Sequence, residues 1–209
     1  IDVDGEVTGV LPSTEWKRRY YKKPEQQKWY AGETISLGIG QGYNNFTMLQ
    51  MASATATLVS GGQRFAPRLA REIENVVTHE KTRVAGKALP ALAFNPEHVA
   101  LITRALYGVT QEGTSVRSFL GAPYKTGGKT GTAQIPTELG YDQSQTNASF
   151  IGWGPVDDPQ FMIYVWIQKP STSIWSSETA APVFSQVAEQ TVILLNIPPD
   201  MVRNQFGSR

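Results

Sequence analysis

Four consecutive residues, Lys129-Thr130-Gly131-Thr132, combine the groups that would hold a substrate carrying both a carboxylate and a reactive carbonyl. The lysine supplies an ammonium group and the two threonines supply hydroxyls, and all three can donate hydrogen bonds to an anion. The glycine has no side chain to keep a ligand away from the backbone. The pattern therefore predicts a strand that binds such a substrate along its length.

The elements around this tetrapeptide are predicted to be strands followed by a helix. Strands are predicted at residues 125–135, 148–153 and 161–168, the last two joined by a turn rich in Gly, Pro and Asp. A polar loop is predicted at residues 137–146. An amphipathic helix over residues 177–196 would then lie over the sheet.

The residues upstream are predicted to be irregular at first and mostly helical later. Residues 1–34 contain glycines and prolines that break any period, and the basic run 17–23 within them is interpreted as a solvated arm. Thr47 and Asn95 each precede an apolar periodic segment that ends at glycine, which predicts two capped helices. Residues 64–94 alternate enough to predict short strands and a hairpin.

These elements indicate the α+β fold class, with an antiparallel sheet flanked by helices in one domain over residues 1–209. We predict four parts of that domain. They are an irregular arm (1–34), a mostly helical part (35–120), strands with a terminal helix (121–197) and a tail (198–209).

Composition excludes several classes of function. The chain is 40% hydrophobic and 18% charged, which is too apolar for disorder, and its net charge of +1 gives no attraction for nucleic acid. Without cysteine it has no disulfides, thiolate catalysis or cysteine-based zinc site, and we predict no metal and no cofactor. No apolar run is long enough to span a membrane. The start, without Met or a signal peptide, is interpreted as an internal cut.

Other motifs are incomplete. Gly128-Lys129-Thr130 could close a phosphate-binding P-loop, but Pro123 occupies the position where that loop needs its first glycine. His79 and His98 are the only histidines and are both predicted at the surface, so lysine is the better candidate base. The related triplet Lys125-Thr126-Gly127 lacks the following Thr-Ala-Gln and is interpreted as a decoy.

Several segments together resemble a known family. With Lys129-Thr-Gly-Thr-Ala-Gln134, they resemble the C-terminal half of the transpeptidase domain of class B penicillin-binding proteins, most closely the cell-elongation type, penicillin-binding protein 2. The likeness extends over about residues 9–199. In chain order the other segments are Gly38-Ile-Gly-Gln-Gly-Tyr43, Thr47-Met-Leu-Gln-Met-Ala52, Gly113-Thr114 and Ala180-Ala-Pro-Val-Phe184.

The resemblance implies a penicillin-binding/serine β-lactamase-like fold and a role for each residue of the tetrapeptide. Lys129 would border the active cleft and support proton movement and substrate charge. Thr130 and Thr132 would bind the carboxylate of a D-Ala-D-Ala stem peptide or of a β-lactam. The Thr132 backbone N–H would be an oxyanion donor. Gly131 would leave space for the substrate backbone.

The resemblance also implies an activity, partners and a location. The complete protein would be a peptidoglycan D,D-transpeptidase that cross-links stem peptides through a serine acyl-enzyme. Its partners would be stem peptides, β-lactam antibiotics, the missing N-terminal part of the same domain and the cell-elongation machinery. It would act at the periplasmic face of the bacterial inner membrane, with its anchor outside this chain.

The chain departs from the family pattern in ways that bear on activity. No lysine has a serine three residues before it, so the nucleophile motif Ser-x-x-Lys is absent, as is a Ser-x-Asn element. We therefore expect this chain alone to be inactive. The segment Ser171–Ser177 occupies the place of a glycine-rich linker, which predicts a differently shaped loop after the last strand.

Two other hypotheses remain open at this point. The chain could be a non-catalytic module that binds a peptide or a partner protein through the Lys129 strand. It could also be a relative of the β-lactamases or D,D-carboxypeptidases, which share Lys-Thr-Gly but fit the flanking segments less well.

Overall fold

The computed structural model describes residues 1–137 and 140–200, except for the side chain of Gln143. These residues form two compact units, a small unit of Val7–Met51 and a large unit that combines Ile1–Glu6 with the chain from Ala52 onward. The four-part division predicted from the sequence remains a prediction.

Helices and short strands alternate along the first half of the chain, and three long strands and a helix follow. The helices are α1 (Thr14–Tyr20), α2 (Pro24–Gln27), α3 (Ala31–Gly38), α4 (Met48–Val59), α5 (Pro96–Gln111) and α6 (Ala180–Leu194). The strands are β1 (Arg64–Phe65), β2 (Glu72–Glu74), β3 (Lys81–Arg83), β4 (Ala88–Leu89), β5 (Gly127–Thr137), β6 (Gly140–Gly154) and β7 (Phe161–Gln168).

The large unit is built on a three-stranded antiparallel sheet in the order β5-β6-β7. Strands β1 and β4 pair with each other, as do β2 and β3, in two small separate sheets. The α+β class predicted from the sequence is confirmed. No helix in the described part of the chain is both long enough and apolar enough to cross a membrane.

Two of the predicted helix starts are confirmed by their capping contacts. The Thr47 hydroxyl accepts a hydrogen bond from Gln50 N at 3.1 Å, while Gln50 Oε1 accepts one from Thr47 N at 2.9 Å. This reciprocal pair satisfies backbone donors at the start of α4. Asn95 Oδ1 accepts from Glu97 N at 2.8 Å at the start of α5, which serves the same purpose.

The polar loop predicted at residues 137–146 is wrong over most of its length, because β6 already begins at Gly140. The pairing of β5 with β6 shifts between Gln134 and Ile135 and then continues, with Ile135 opposite Asp142. Backbone hydrogen bonds between strands do not require apolar side chains, so a polar sequence can extend the hairpin beyond the covered part of the sheet.

The core of the large unit lies between α6 and the sheet. Phe150 on β6 and Phe184 on α6 are fully buried, with ring centroids 4.8 Å apart. Phe119, from a short 3₁₀ helix, completes the cluster at 5.6 Å and 5.8 Å from these two rings. Tilted aromatic pairs at such distances contribute about 0.5–1.5 kcal/mol beyond the area that they bury.

A glycine on β6 allows α6 to approach the sheet closely. A Cβ atom added at Gly152 would lie 2.7 Å from the Phe184 ring and 2.7 Å from the Gly127 carbonyl oxygen. Since one of these neighbours is backbone, it cannot move aside easily. The helix therefore packs on the sheet at a distance that only glycine permits at this position.

The small unit corrects the prediction that residues 1–34 are irregular, because they contain α1, α2 and the first half of α3. Ser13 caps α1 by accepting from Trp16 N at 3.0 Å, and Pro24 occupies the first turn of α2. Both are favourable at helix starts. These helices are short, so tertiary contacts must stabilise them.

Lys17 provides one such contact. It is buried, so the prediction that it lies on a solvated arm is wrong. Its residue exposure is only 3%. Its ammonium donates to the Lys28 carbonyl at 2.7 Å, forms an ion pair with Glu33, and lies 5.4 Å and 5.5 Å from the ring centroids of Tyr30 and Tyr43. A buried ammonium is tolerated because carbonyl, carboxylate and aromatic faces all surround it.

Truncating Phe184 should destabilise the large unit. We expect Phe184→Ala to lower the free energy of unfolding by about 3–5 kcal/mol, because it leaves a cavity against Gly152 and Phe150. Leu194→Ala, on the same helix but at a residue 84% exposed, should change it by less than about 0.5 kcal/mol. Urea unfolding followed by tryptophan fluorescence measures both. Equal losses in the two variants would contradict the proposed location of the core.

Neutralising Glu33 should destabilise the chain in a pH-dependent way. Burial raises the pKa of Glu33, but hydrogen bonds from Lys17, the Tyr30 N–H and the Tyr43 hydroxyl outweigh it and hold that pKa below its ordinary value of 4.5. The stabilisation is therefore complete above pH 4.5 and is lost as the pH falls through the lower folded pKa. We expect Glu33→Gln to cost about 3 kcal/mol at pH 7, since Lys17 loses its partner.

The difference in urea stability between the parent chain and Glu33→Gln should shrink as the pH drops below 4.5. Glu15→Gln is the matched control, because Glu15 pairs with Arg19 at 3.2 Å but both side chains are 75% exposed. Such surface pairs contribute about 0–1 kcal/mol. A difference for Glu33→Gln that stays constant from pH 7 to pH 3 would show that the carboxylate charge is not responsible.

Candidate active site

The tetrapeptide predicted to bind substrate lies on β5, at one side of the sheet. β5 pairs with β6 along one edge only, and no strand within residues 1–137 and 140–200 pairs with its other edge. Lys129 lies opposite Ile151 and Thr132 opposite Ala148. Lys129 is exposed, whereas Thr130, Gly131 and Thr132 are half-buried. The sheet thus fixes this strand from one side and leaves its polar groups near the surface.

The Lys129 ammonium is held along its own strand and borders an open groove. It donates to the Thr130 carbonyl at 2.8 Å and lies 3.3 Å from Thr130 Oγ1. The groove, about 580 Å³ in volume, lies between α5 and β5 and is also lined by Arg104, Glu112 and Thr114. A ligand in this groove would therefore meet the positive charge of Lys129 directly.

The two threonine hydroxyls contact two different segments of the chain. Thr130 Oγ1 lies 3.4 Å from Thr114 Oγ1, on the turn that follows α5. Thr132 Oγ1 accepts from Ser176 N at 3.2 Å and lies 2.9 Å from Ser176 Oγ. Each hydroxyl of the tetrapeptide is therefore positioned by a neighbouring polar group.

Gly131 also allows close contact with the neighbouring strand, a role that the sequence did not predict. It lies opposite Ser149 on β6, and an added Cβ atom would come within 2.5 Å of Ser149 Oγ. The Ser149 hydroxyl donates to the Gly131 carbonyl at 3.3 Å. The space above the glycine is thus occupied by a side chain of the neighbouring strand.

The second Lys-Thr-Gly triplet occupies a different environment. Lys125 Nζ pairs with Asp157 Oδ2 at 2.7 Å, and this hydrogen bond raises the pKa of Lys125. Thr126 is only 4% exposed, and its carbonyl accepts from Thr110 Oγ1 at 2.5 Å. Its hydroxyl is also buried and therefore out of reach of a ligand at the surface. The interpretation of this triplet as a decoy stays a prediction.

Sequence reasoning missed Ser149 and Ser176 as neighbours of the site. The departure at Ser171–Ser177 was a signal for Ser176, but the sequence does not indicate which of its serines reaches β5. Among the described residues, no group of three or more His, Asp or Glu side chains lies close enough to hold a metal ion.

Comparison with known proteins identifies the family. Residues 1–189 match the family described as "Penicillin binding protein transpeptidase domain". The chain belongs to this family. The class B resemblance drawn from the sequence is confirmed.

Relatives of this transpeptidase domain include proteins whose names state a peptidoglycan D,D-transpeptidase activity. "Peptidoglycan D,D-transpeptidase MrdA" of Salmonella typhimurium (strain LT2) is 32% identical over 205 residues, which cover 90% of this chain and 31% of the relative. "Stage V sporulation protein D" of Bacillus subtilis is 30% identical, over 95% of this chain and 29% of the relative. The chain therefore spans about a third of the length of these relatives.

Solved structures of penicillin-binding proteins share the fold. Pseudomonas aeruginosa PBP2, in a complex with WCK 5153, superposes with a TM-score of 0.73 at 28% identity, over 100% of this chain and 43% of that one. Mycobacterium tuberculosis PBP3, complexed with aztreonam, gives a TM-score of 0.72 at 23% identity, over 95% and 43%. The penicillin-binding/β-lactamase-like fold predicted from the resemblance is confirmed.

Adding a methyl group at Gly131 should strain the site strand, and removing the opposing hydroxyl should relieve it. We expect Gly131→Ala to destabilise the chain by about 1–3 kcal/mol, because the new Cβ atom meets Ser149 Oγ. Most of that loss should disappear when Ser149→Ala is added. Gly32→Ala is the control, since a Cβ atom there meets nothing within 4 Å in α3, and alanine favours helix by about 0.5–1 kcal/mol. Urea unfolding compares the parent chain with Gly131→Ala, Ser149→Ala, the double variant and Gly32→Ala, and strict additivity of the first two changes would contradict the contact.

Proposed function

We propose that this chain is part of a peptidoglycan D,D-transpeptidase, supplying one wall of an active site that cross-links stem peptides and binds β-lactams. The observation that carries this proposal is the position of Lys129-Thr130-Gly131-Thr132 on β5, beside an open groove and on a strand that has one edge unpaired among the described residues. The MrdA relatives, which are named for this reaction, support the same assignment.

In this proposal the substrate peptide lies along the free edge of β5 as an added strand. Main-chain hydrogen bonds would give affinity, and the side chains of the edge would give specificity. The Thr130 and Thr132 hydroxyls and the Lys129 ammonium would hold the substrate carboxylate through charge-assisted hydrogen bonds. The Thr132 N–H would stabilise the oxyanion, and one such donor contributes about 3 kcal/mol to lowering the barrier.

The attacking serine in this proposal comes from outside these 209 residues, because their sequence contains no Ser-x-x-Lys. The serine hydroxyl would form an ester with the carbonyl of the penultimate D-alanine, and the terminal D-alanine would leave with the transferred proton. An amine of a second stem peptide would then take the acyl group and restore the serine. Lys129 would support these proton movements from the edge strand.

The proposed partners and location follow from the same assignment. They are stem peptides ending in D-Ala-D-Ala, β-lactams, the rest of the transpeptidase domain, which we place before this segment, and the cell-elongation machinery. The proposed location is the periplasmic face of the inner membrane, with the anchor elsewhere in the protein. Pull-down from cells, with the full-length protein as bait, tests the proposed partnership with the elongation machinery.

Covalent labelling of the full-length protein by a fluorescent penicillin tests the proposed activity. We expect the full-length protein to be labelled and this 209-residue chain alone to remain unlabelled. A folded full-length protein without labelling would refute the assignment, and saturable stem-peptide binding in its place would identify a binding module. Rapid hydrolysis of the acyl-enzyme, without transfer to an amine, would identify a β-lactamase or carboxypeptidase.

Replacing the Thr132 hydroxyl should weaken acylation more than replacing the Thr126 hydroxyl. We expect Thr132→Val in the full-length protein to lower the acylation rate about tenfold, because a hydrogen bond to a charged group is lost. Thr126→Val is the matched control, since it makes the same isosteric change at a buried hydroxyl in the second Lys-Thr-Gly. Equal effects would mean that the wrong triplet had been assigned to the site.

A further inference from the structure

Ser176 is a buried polar residue that the proposed mechanism does not use. It lies in the connection between β7 and α6, residues 169–179, and only 2% of its surface is exposed. Its backbone N–H and its hydroxyl both lie within hydrogen-bond distance of Thr132 Oγ1, at 3.2 Å and 2.9 Å. These two contacts join segments that are 44 residues apart in the sequence.

The hydrogen-bonding capacity of a hydroxyl limits what these contacts permit. A threonine hydroxyl has one proton to donate and two lone pairs that accept. The N–H of Ser176 already occupies one lone pair of Thr132 Oγ1. If Thr132 donated its proton to Ser176 Oγ, it would have none left for a ligand. If Ser176 Oγ donates to Thr132 instead, both lone pairs of Thr132 Oγ1 are occupied. The Thr132 hydroxyl proton is then left to be donated to a ligand.

An anionic ligand requires the arrangement in which the Ser176 hydroxyl donates to Thr132. A carboxylate only accepts hydrogen bonds, so it binds Thr132 only when the threonine proton is free. In that state Ser176 O–H, Thr132 O–H and the carboxylate form a chain in which each hydrogen bond polarises the next. A neutral acceptor gains less from this chain, because hydrogen bonds to charged groups are the stronger ones.

The connection that carries Ser176 is held by two further hydrogen bonds, one at Ser176 itself and one two residues earlier. The Ser176 carbonyl accepts from Ala181 N at 2.9 Å, at the start of α6. Earlier in the connection, the Ile174 carbonyl accepts from Thr146 Oγ1 at 2.7 Å, and Thr146 is only 2% exposed. Ser176 is therefore a rigid neighbour of Thr132, and it needs no ordering when a ligand binds.

We propose that Ser176 is a positioning residue that makes Thr132 a dedicated hydrogen-bond donor and so favours ligands with a carboxylate over their neutral counterparts. This inference rests on the proposed function, since it assigns the preference to the same β-lactam and stem-peptide site. Ser176 acts only through Thr132 and does not itself touch the ligand.

The test compares benzylpenicillin with its methyl ester, whose carboxylate is neutralised, in acylation of the full-length protein. The measured quantity is the second-order rate constant for benzylpenicillin divided by that for its methyl ester. Ser176→Ala should lower this ratio about threefold to tenfold, mainly by weakening initial binding of the acid, because the polarising donor is gone. Ser176→Cys keeps the shape of the side chain, with a larger atom that is only a weak donor; it should act in the same direction and serves if the alanine variant does not fold.

Two comparisons separate positioning from a general structural effect. Ser177→Ala should leave the ratio unchanged, because Ser177 enters the connection through its backbone carbonyl, which accepts from Ser118 Oγ at 3.4 Å. In a chain that already carries Thr132→Val, Ser176→Ala should not change the ratio further, because the residue through which Ser176 acts is gone.

Each outcome is decisive. If Thr132→Val lowers the ratio and neither Ser176 variant does, the role of Ser176 is overturned while the proposed function stands. If Thr132→Val itself leaves the ratio unchanged, the assignment of the carboxylate site is wrong and this inference fails with it. An effect of Ser176→Ala that persists in the Thr132→Val background would show that Ser176 acts by another route.

Discussion

The contact between Phe150 and Phe184 is the interaction on which the rest of the large unit depends. These two fully buried rings, 4.8 Å apart, fasten α6 to the middle strand of the sheet. The middle strand in turn provides the only pairing partner of β5 within the described chain. Interiors of this kind are close-packed, so a shift of α6 is transmitted to the strands rather than absorbed. The geometry of β5 therefore depends on an aromatic contact made by the neighbouring strand, β6.

The same helix is linked to the site by a second, polar route. Ala181 N, at the start of α6, donates to the Ser176 carbonyl, and Ser176 contacts Thr132. The apolar cluster and the polar connection thus converge on β5 from one helix. A change that loosens α6 would disturb both the pairing of β5 and the orientation of its hydroxyls, so stability and site geometry are coupled in this fold.

How far the sequence predicted the structure depended on the sequence distance between interacting groups. The helices capped by Thr47 and Asn95 rest on contacts within three residues, and both were predicted. The burial of Lys17 depends on Glu33, 16 residues away, and it was not predicted. In the candidate site, Lys129-Thr130-Gly131-Thr132 was identified from residue types alone. Its polar neighbours were not, because pairing partners far along the chain leave no local periodic signal.

The free edge of β5 has a consequence for the behaviour of the molecule in solution. Within the described residues this edge has no pairing partner, and such an edge can accept the edge of another protein molecule, which is a common route to aggregation. Lys129 places a positive charge on this edge, so two copies that approached edge to edge would repel each other. A peptide that ends in a carboxylate meets attraction at the same place. We expect this one side chain both to limit self-association and to favour the anionic partner that we propose.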